Sequence, residues 1–203
     1  MRIRAAALAA VVAAASLCGS LASAAAPTAA LSNFLRFCVA TNAVQDRVAA
    51  TARGAGWAPF SANSQRNVIM PGPFLSFGTL SIFLDEKPDT DGVLFFSEGY
   101  SEPGVDMLVG GQTCGVSVRR RLDPATESAT ILALMSAVGD PGEKPATSAK
   151  YSYTYYEDEH GRHTSRPTSA EAMSKGYLVT VWAEQLSGSY RFFFWAMPSG
   201  RVR

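Results

Sequence analysis

The stretch YLVTVWAEQLSGSYRFFFWAM, residues 177–197, decides the fold of this chain. It contains two runs, 177–184 and 190–197, that are rich in the aromatic and β-branched residues favoured in strands. The Ser187-Gly188 pair between them is typical of a hairpin turn. Because four aromatic residues follow one another at 192–195, we expect the second strand to be covered on both faces or to lie at an interface.

Strand patterns continue towards the N-terminus. Alternation with a period of two, or a short apolar run, predicts strands in five further segments: 79–84, 93–96, 105–109, 113–122 and 151–155. The charge, proline and Asp-Gly of residues 85–92 indicate a turn between the first two. Together these segments predict an antiparallel meander.

Helical periodicity marks the first part of the domain. Residues 32–39 repeat apolar side chains on one face after a candidate cap at Ser32. Residues 41–54 continue the pattern after a second candidate cap, Thr41 or Asn42. One kinked helix or two consecutive helices would satisfy this pattern.

A further helix is predicted from Pro124, with Asp123 as its cap, to Gly139, and a short one begins at Ser169. We therefore predict an α+β domain in which the two main helices cover one face of a meandering antiparallel sheet. The order of helix then strands occurs twice. It leaves open an internal duplication of a helix-plus-hairpins unit, although no residues match between the two halves.

The composition excludes several classes of protein. The 203 residues carry 18 Lys and Arg against 17 Asp and Glu, a net charge of +1, and the only strong basic run is 119–121. Nucleic acid is not an expected partner, because phosphate backbones select for basic surfaces. An aromatic content of 10% excludes a disordered chain. The length fits one domain.

The first 24 residues have the pattern of a signal peptide. Two arginines precede an apolar run at 5–17, and Ala22-Ser23-Ala24 supplies small residues for cleavage. Cleavage there leaves a single domain at 25–203 and removes both arginines, which lowers the net charge from +1 to −1. An uncleaved anchoring helix and a lipoprotein modified at Cys18 are the alternatives. Since no later apolar run approaches 18 residues, we expect a periplasmic or secreted protein that is not integral to the membrane.

Cys38 and Cys114 remain after this cleavage. An even number of cysteines in an oxidising compartment predicts a disulfide between them. Such a bond would close a loop of about 77 residues, which contributes roughly 4.5 kcal/mol in the chain-entropy model. The alternative is a free catalytic thiol at Cys114.

Both histidines lie in the polar segment 156–163, beside three carboxylates. Imidazole nitrogens and carboxylate oxygens are ligands for Zn, Ni or Cu, so His160, His163 and Asp158 form a candidate metal site. The alternative is a solvated hairpin tip, since acidic and basic residues around Gly161 suit an exposed turn.

Two other sets of side chains are candidate ligand contacts. Arg119 and Arg121 fall on one face of the predicted strand 113–122, where they could bind an anion or a carboxylate. A solvated sheet face is the alternative. A stripe of tyrosines could stack against a sugar or a peptide, or could belong to the core: Tyr151, Tyr153 and Tyr155.

The sequence contains no convergent set of catalytic residues. The nearest approach to Gly-x-Ser-x-Gly surrounds Ser117, which lacks the final glycine and lies within a predicted strand. No phosphate-binding loop follows a strand, and we expect no cofactor.

The run FLRFCVAT at 34–41, followed by Gly56-Trp57, resembles the start of small secreted bacterial proteins of uncharacterised function. The resemblance covers only the beginning of the mature chain. It implies export and a structural Cys38, and it implies nothing about a reaction.

These observations predict an exported, non-enzymatic domain that binds an envelope protein or peptide. The alternative is a hydrolase or a metal-binding protein that uses His160 and His163. A pocket that gathers either histidine with carboxylates, or that contains Cys114, would favour the enzyme. A flat aromatic patch or an open sheet face would favour the binding domain.

Overall fold

A computed structural model describes residues 26–60, 80–85, 92–100, 109–142, 149–164 and 176–198 of the chain. These residues form a mixed α+β fold with eight antiparallel strands and three α-helices. Four predicted features lie outside them: the signal peptide, most of the turn at 85–92, most of the strand at 105–109 and the short helix from Ser169.

Capping side chains determine where two of the α-helices begin. The third helix begins where predicted, because Asp123 Oδ1 accepts hydrogen bonds from two backbone N–H groups of the first turn. The first helix begins before its expected cap, since Thr28 accepts the N–H of Ala30. None of the helices that the structure describes has the length and apolar character needed to span a bilayer. Their bounds are Ala29–Phe34 for α1, Gln45–Gly54 for α2 and Pro124–Val138 for α3.

A π-helical segment, Leu35–Val39, and a tight turn separate α1 from α2. The turn holds Asn42 and Ala43 at positive φ, 53° and 54°, so the right-handed helix cannot continue through it. Asn42 therefore lies in the turn and does not cap α2. Val44 is the residue before α2, and it forms no side-chain capping bond.

The strands form one sheet in the order β1-β2-β3-β4-β8-β7-β5-β6. The meander prediction holds for β1 to β4 and for the β7–β8 hairpin. It is wrong at the centre, where β8 returns to pair with β4, and at β5, which pairs with both β6 and β7. The strands are Trp57–Pro59 (β1), Ser81–Asp85 (β2), Gly92–Tyr100 (β3), Val109–Val118 (β4), Ala149–Asp158 (β5), Gly161–His163 (β6), Tyr177–Gln185 (β7) and Tyr190–Pro198 (β8).

One face of the sheet shares a core with the helices. Phe34 of α1 stacks on Phe192 of β8, with ring centroids 5.5 Å apart. Leu134 of α3 is buried in the same cluster. The backbone N–H of Thr28 donates to the buried hydroxyl of Thr130, which joins the start of α1 to α3. The helical segments and this face of the sheet therefore form a single hydrophobic core.

The central strand β8 is buried on both faces, as its four successive aromatic residues predicted. Phe192 and Phe194 face the helices, whereas Phe193 lies on the opposite face against Trp182, with ring centroids 4.0 Å apart. All three phenylalanines are fully buried.

A disulfide joins Cys38 of the π-helical segment to Cys114 of β4, across 76 residues of sequence. Both cysteines are fully buried. The predicted disulfide is confirmed. The alternative of a catalytic thiol at Cys114 is wrong, because its sulfur is bonded to Cys38.

The predicted strand 113–122 ends earlier than expected. β4 stops at Val118, and Arg119 and Arg121 lie in the connection to α3. They therefore do not share a strand face. The alternation of side chains over residues 113–122 did not reveal that the strand ends at Val118, several residues before α3 begins.

Candidate functional site

A cavity of about 270 Å³ lies on the helix-covered side of the sheet. The helix layer contributes one wall, the hairpin of β5 and β6 contributes another, and the sheet forms the floor. The described residues that line the cavity are Asn42, Val44, Arg47, Gln112, Glu157, Asp158, Glu159, Tyr177, Val179, Phe194 and Ala196.

The helix wall consists of the turn before α2 and the first turn of α2 itself. Its backbone is held in place because the N–H of Ala43 donates to the carbonyl of Cys38, at 2.9 Å, and the hydroxyl of Thr41 donates to the carbonyl of Phe37. Ala43 is fully buried at a positive φ, a conformation that costs about 1–2 kcal/mol for an alanine. Strained backbone of this kind persists only where the surroundings hold it, and it is concentrated at functional sites.

The acidic hairpin, defined as Glu157, Asp158 and Glu159, is the second wall. Asp158 Oδ1 accepts the backbone N–H of His160 at 2.8 Å and lies 3.0 Å from Nε2 of His163. The hydrogen bond from His163 is the main reason that the pKa of Asp158 is lowered from its ordinary 3.8. Asp158 is therefore a carboxylate at neutral pH, held by its own hairpin.

Arg162 of β6 fixes the acidic hairpin to α3. Its Nη1 donates to the carbonyl oxygen of Val138, at 2.6 Å, in the last residue of α3. Its guanidinium carbon lies 4.0 Å from the ring centroid of Tyr155, and Nη2 lies 3.3 Å from the tyrosine oxygen. Burial raises the pKa of Tyr155 to about 12, so its hydroxyl remains protonated at neutral pH.

The floor of the cavity is apolar and follows from the strand register. Ala196 of β8 pairs with Gln112 of β4 on one side and with Val179 of β7 on the other. Phe194 lies two residues earlier on the same face of β8. Val179, Phe194 and Ala196 are all buried. A ligand in the cavity would therefore place apolar atoms against the sheet and polar atoms against the two walls.

The predicted metal residues come together only in part. His163 and Asp158 are in contact, but the His160 ring lies 3.6 Å from Glu159 at the hairpin tip, where the His160 side chain is 77% exposed. Neither histidine lines the cavity. No group of three or more His, Cys, Asp or Glu side chains suited to a metal ion occurs within the described ranges.

The tyrosine stripe belongs to the core. Tyr151 and Tyr155 are each 1% exposed, and Tyr153 packs against the same cluster. The hydroxyl of Tyr151 donates to the carbonyl of Gly139, at 2.6 Å, just after α3. Tyr151 and Tyr155 therefore have a packing role in the core, and Tyr153 is partly buried beside them.

Four polar residues of the cavity lie outside the polar segment 156–163 and were not singled out as site residues by sequence reasoning: Asn42, Arg47, Gln112 and Tyr177. They come from four separate elements and share no motif. Asn42 did give a signal as a capping candidate, but the signal concerned the helix and not a site. The strand register and the turn before α2 are what bring the four together.

Comparison of the chain with models of known protein families, with curated proteins and with solved structures found no match.

Proposed function

We propose that the protein is an exported, non-enzymatic binding domain that holds a small ligand, or the end of a peptide, in the cavity. The observation that carries this proposal is the composition of the lining. It combines charged and amide side chains with an apolar floor, the usual character of a ligand pocket. The described lining residues include no serine, cysteine or histidine, so they offer neither a serine or cysteine nucleophile nor an imidazole base.

Export is supported by three features. Residues 1–24 have the pattern of a signal peptide. The buried disulfide suits an oxidising compartment such as a periplasm or the extracellular space. The resemblance of residues 34–41 and Gly56-Trp57 to small secreted bacterial proteins points the same way. An envelope peptide is the partner that fits this location.

The arrangement of strands supports an internal duplication, with one helix covering each half. α2 precedes β2, β3 and β4, and α3 precedes β5, β7 and β8. In the sheet these strands lie in mirror order about the central β4–β8 pair, as β2-β3-β4 and then β8-β7-β5. Each half is thus a helix followed by four strands, of which the inner three lie in matching order and the edge strands, β1 and β6, do not.

Calorimetry and thermal unfolding test the binding function. The purified protein is titrated with a panel of the α-amino acids, tripeptides, polyamines and monosaccharides. A ligand that binds only the folded state raises the melting temperature, and the rise grows with the logarithm of its concentration once that concentration exceeds Kd. We expect at least one member of the panel to bind.

The matched variants for this test are Tyr177→Ala and Leu132→Ala. Both side chains are exposed, at 42% and 65%, but only Tyr177 lines the cavity. Tyr177→Ala should weaken binding, whereas Leu132→Ala should leave it unchanged. Equal effects of the two variants, or no binding by any member of the panel, would contradict the proposal.

Export has its own test. The protein isolated from a periplasmic or culture fraction should begin at Ala25, as N-terminal sequencing or intact mass would show. Recovery of the chain with Met1 at its start, in the cytoplasmic fraction alone, would contradict export.

A further inference from the structure

The cavity contains charges of opposite sign that do not pair with each other. Arg47 lies on the helix wall, and the acidic hairpin lies on the other wall. Among the described residues, no ion pair joins Arg47 to Glu157, Asp158 or Glu159. The two walls are therefore complementary to each other but separated by the cavity. A ligand that carries both charges would satisfy both.

The helix wall suits an anionic group. Arg47 lies in the first turn of α2, where the leading backbone N–H groups have no acceptor within the helix. Val44 supplies no side-chain cap for them. Asp46 of the same turn is exposed and does not line the cavity. A carboxylate placed here would receive charge-assisted hydrogen bonds from the guanidinium of Arg47.

The acidic hairpin suits a cationic group. Its three carboxylates outnumber the one guanidinium of the cavity, so the local field favours an ammonium ion. Asp158 is already oriented by His160 and His163. Its carboxylate therefore needs little reorganisation to accept a ligand, which lowers the entropic cost of binding.

The size and the floor of the cavity restrict the part of the ligand between the two charges. The volume of about 270 Å³ lies below the range of about 300–1,000 Å³ that is usual for drug-sized ligands. Val179, Phe194 and Ala196 offer apolar contacts between the walls. A short molecule with an aliphatic group fits these limits.

We propose that the cavity binds a zwitterion, a free α-amino acid with an aliphatic side chain. Its carboxylate lies at Arg47, its ammonium group lies at the acidic hairpin, and its side chain rests on the floor. This assignment depends on the proposed binding function and specifies its ligand.

Isothermal titration calorimetry at pH 6.5 with three probes tests the assignment: L-leucine, N-acetyl-L-leucine and L-leucinamide. The first is a zwitterion, the second has lost the cation and the third has lost the anion. L-leucine should bind tightest. Each blocked probe should bind roughly tenfold more weakly or worse, as expected for the loss of one charge-assisted contact.

Variants of the protein test which wall of the cavity binds each charged group of the ligand. Arg47→Gln should remove the preference for L-leucine over L-leucinamide. Glu157→Gln combined with Glu159→Gln should reduce the preference over N-acetyl-L-leucine, since only Asp158 then remains charged on that wall. Arg120→Gln, an exposed arginine outside the cavity, is the matched control and should leave all three affinities unchanged. Circular dichroism and melting temperature confirm that each variant is folded.

The outcomes separate this proposal from the function on which it depends. Equal affinity for L-leucine and L-leucinamide in the unaltered protein would refute the proposal that the ligand is a zwitterion. So would binding of another panel member when none of the three probes binds, and the binding function would then stand. If no panel member binds, the binding function itself fails.

Discussion

Arg162 of β6 donates a hydrogen bond of 2.6 Å to the carbonyl oxygen of Val138, the last residue of α3. A cation at this position is favourable because the carbonyl groups at a helix C-terminus carry partial negative charge and lack partners within the helix. The same guanidinium stacks on Tyr155. One side chain thus connects the hairpin that carries the carboxylates of the cavity to α3 and to the sheet.

Replacement of Arg162 should therefore destabilise the fold. We expect Arg162→Ala to lower the free energy of unfolding by about 2 kcal/mol, from the lost hydrogen bonds and the lost cation–π contact. Arg162→Lys should recover part of this loss, since a lysine keeps the charge but cannot make both contacts. Urea denaturation measures the difference. The exposed Arg120→Ala is the control, and an equal loss in the two alanine variants would refute a specific role for Arg162.

Removal of the disulfide should have a larger effect. The Cys38→Ala/Cys114→Ala protein should be less stable by about 4.5 kcal/mol, because its unfolded chain regains the entropy of a long loop. Guanidinium denaturation of both proteins gives the difference. Reduction of the unaltered protein under denaturing conditions should release two thiols from this pair. A stability change below about 1 kcal/mol would show that the loop-closure argument does not hold here.

Gly115 of β4 allows the sheet to pack closely on the face away from the helices. A Cβ atom at this position would lie 2.1 Å from Cζ of Phe95 and 2.8 Å from the carbonyl oxygen of Phe192. Gly115→Ala should therefore cost about 1–3 kcal/mol or more through overpacking. Gly188→Ala is the matched control, because nothing lies within 4 Å of a Cβ at that turn. Thermal unfolding should separate the two variants, and similar melting temperatures would argue against the close packing.

The contact between Asp158 and His163 predicts that the stability of the fold decreases at acidic pH. The pKa of Asp158 is lowered from 3.8 in the folded state, chiefly by His163, so the carboxylate stabilises the fold above that pH. This contribution is lost as the pH falls through the lowered pKa. The stability difference between the unaltered protein and Asp158→Asn should therefore be fully present above pH 3.8 and should shrink as the pH falls through the lowered pKa.

Carboxyl ¹³C NMR measures the same group directly. His163→Ala should raise the pKa of Asp158 towards 3.8, because it removes the main cause of the shift. An unchanged titration curve in that variant would show that His163 does not control the carboxylate.

The sequence predicted the parts of the fold that depend on neighbours along the chain. Asp123 caps α3 and Gly139 follows its last residue as expected, since both effects act within one turn. The disulfide followed from the count of cysteines and the expected compartment. The pairing of β4 with β8 could not be predicted, because it joins residues about 80 positions apart and the alternation in each strand does not specify its partner.

The cavity was not predictable from the sequence for a related reason. The acidic hairpin was recognised as a polar segment, but its histidines drew attention to a metal site. Arg47, which lines the same cavity as the acidic hairpin, lies more than 100 residues earlier in the sequence. Its helix was predicted to start several residues before the observed start. Asn42 and Ala43 turn the chain at positive φ just before that helix, and no simple sequence pattern predicts a positive φ for an alanine.

The position of β8 has a consequence for the order in which the molecule folds. β8 is the last described strand in the chain, yet it lies between β4 and β7 in the middle of the sheet. Until it is available, β4 and β7 each present an open strand edge, the kind of surface that pairs with other chains. The slow step of folding should thus be the insertion of this strand, and partial chains that stop before residue 190 should aggregate instead of folding.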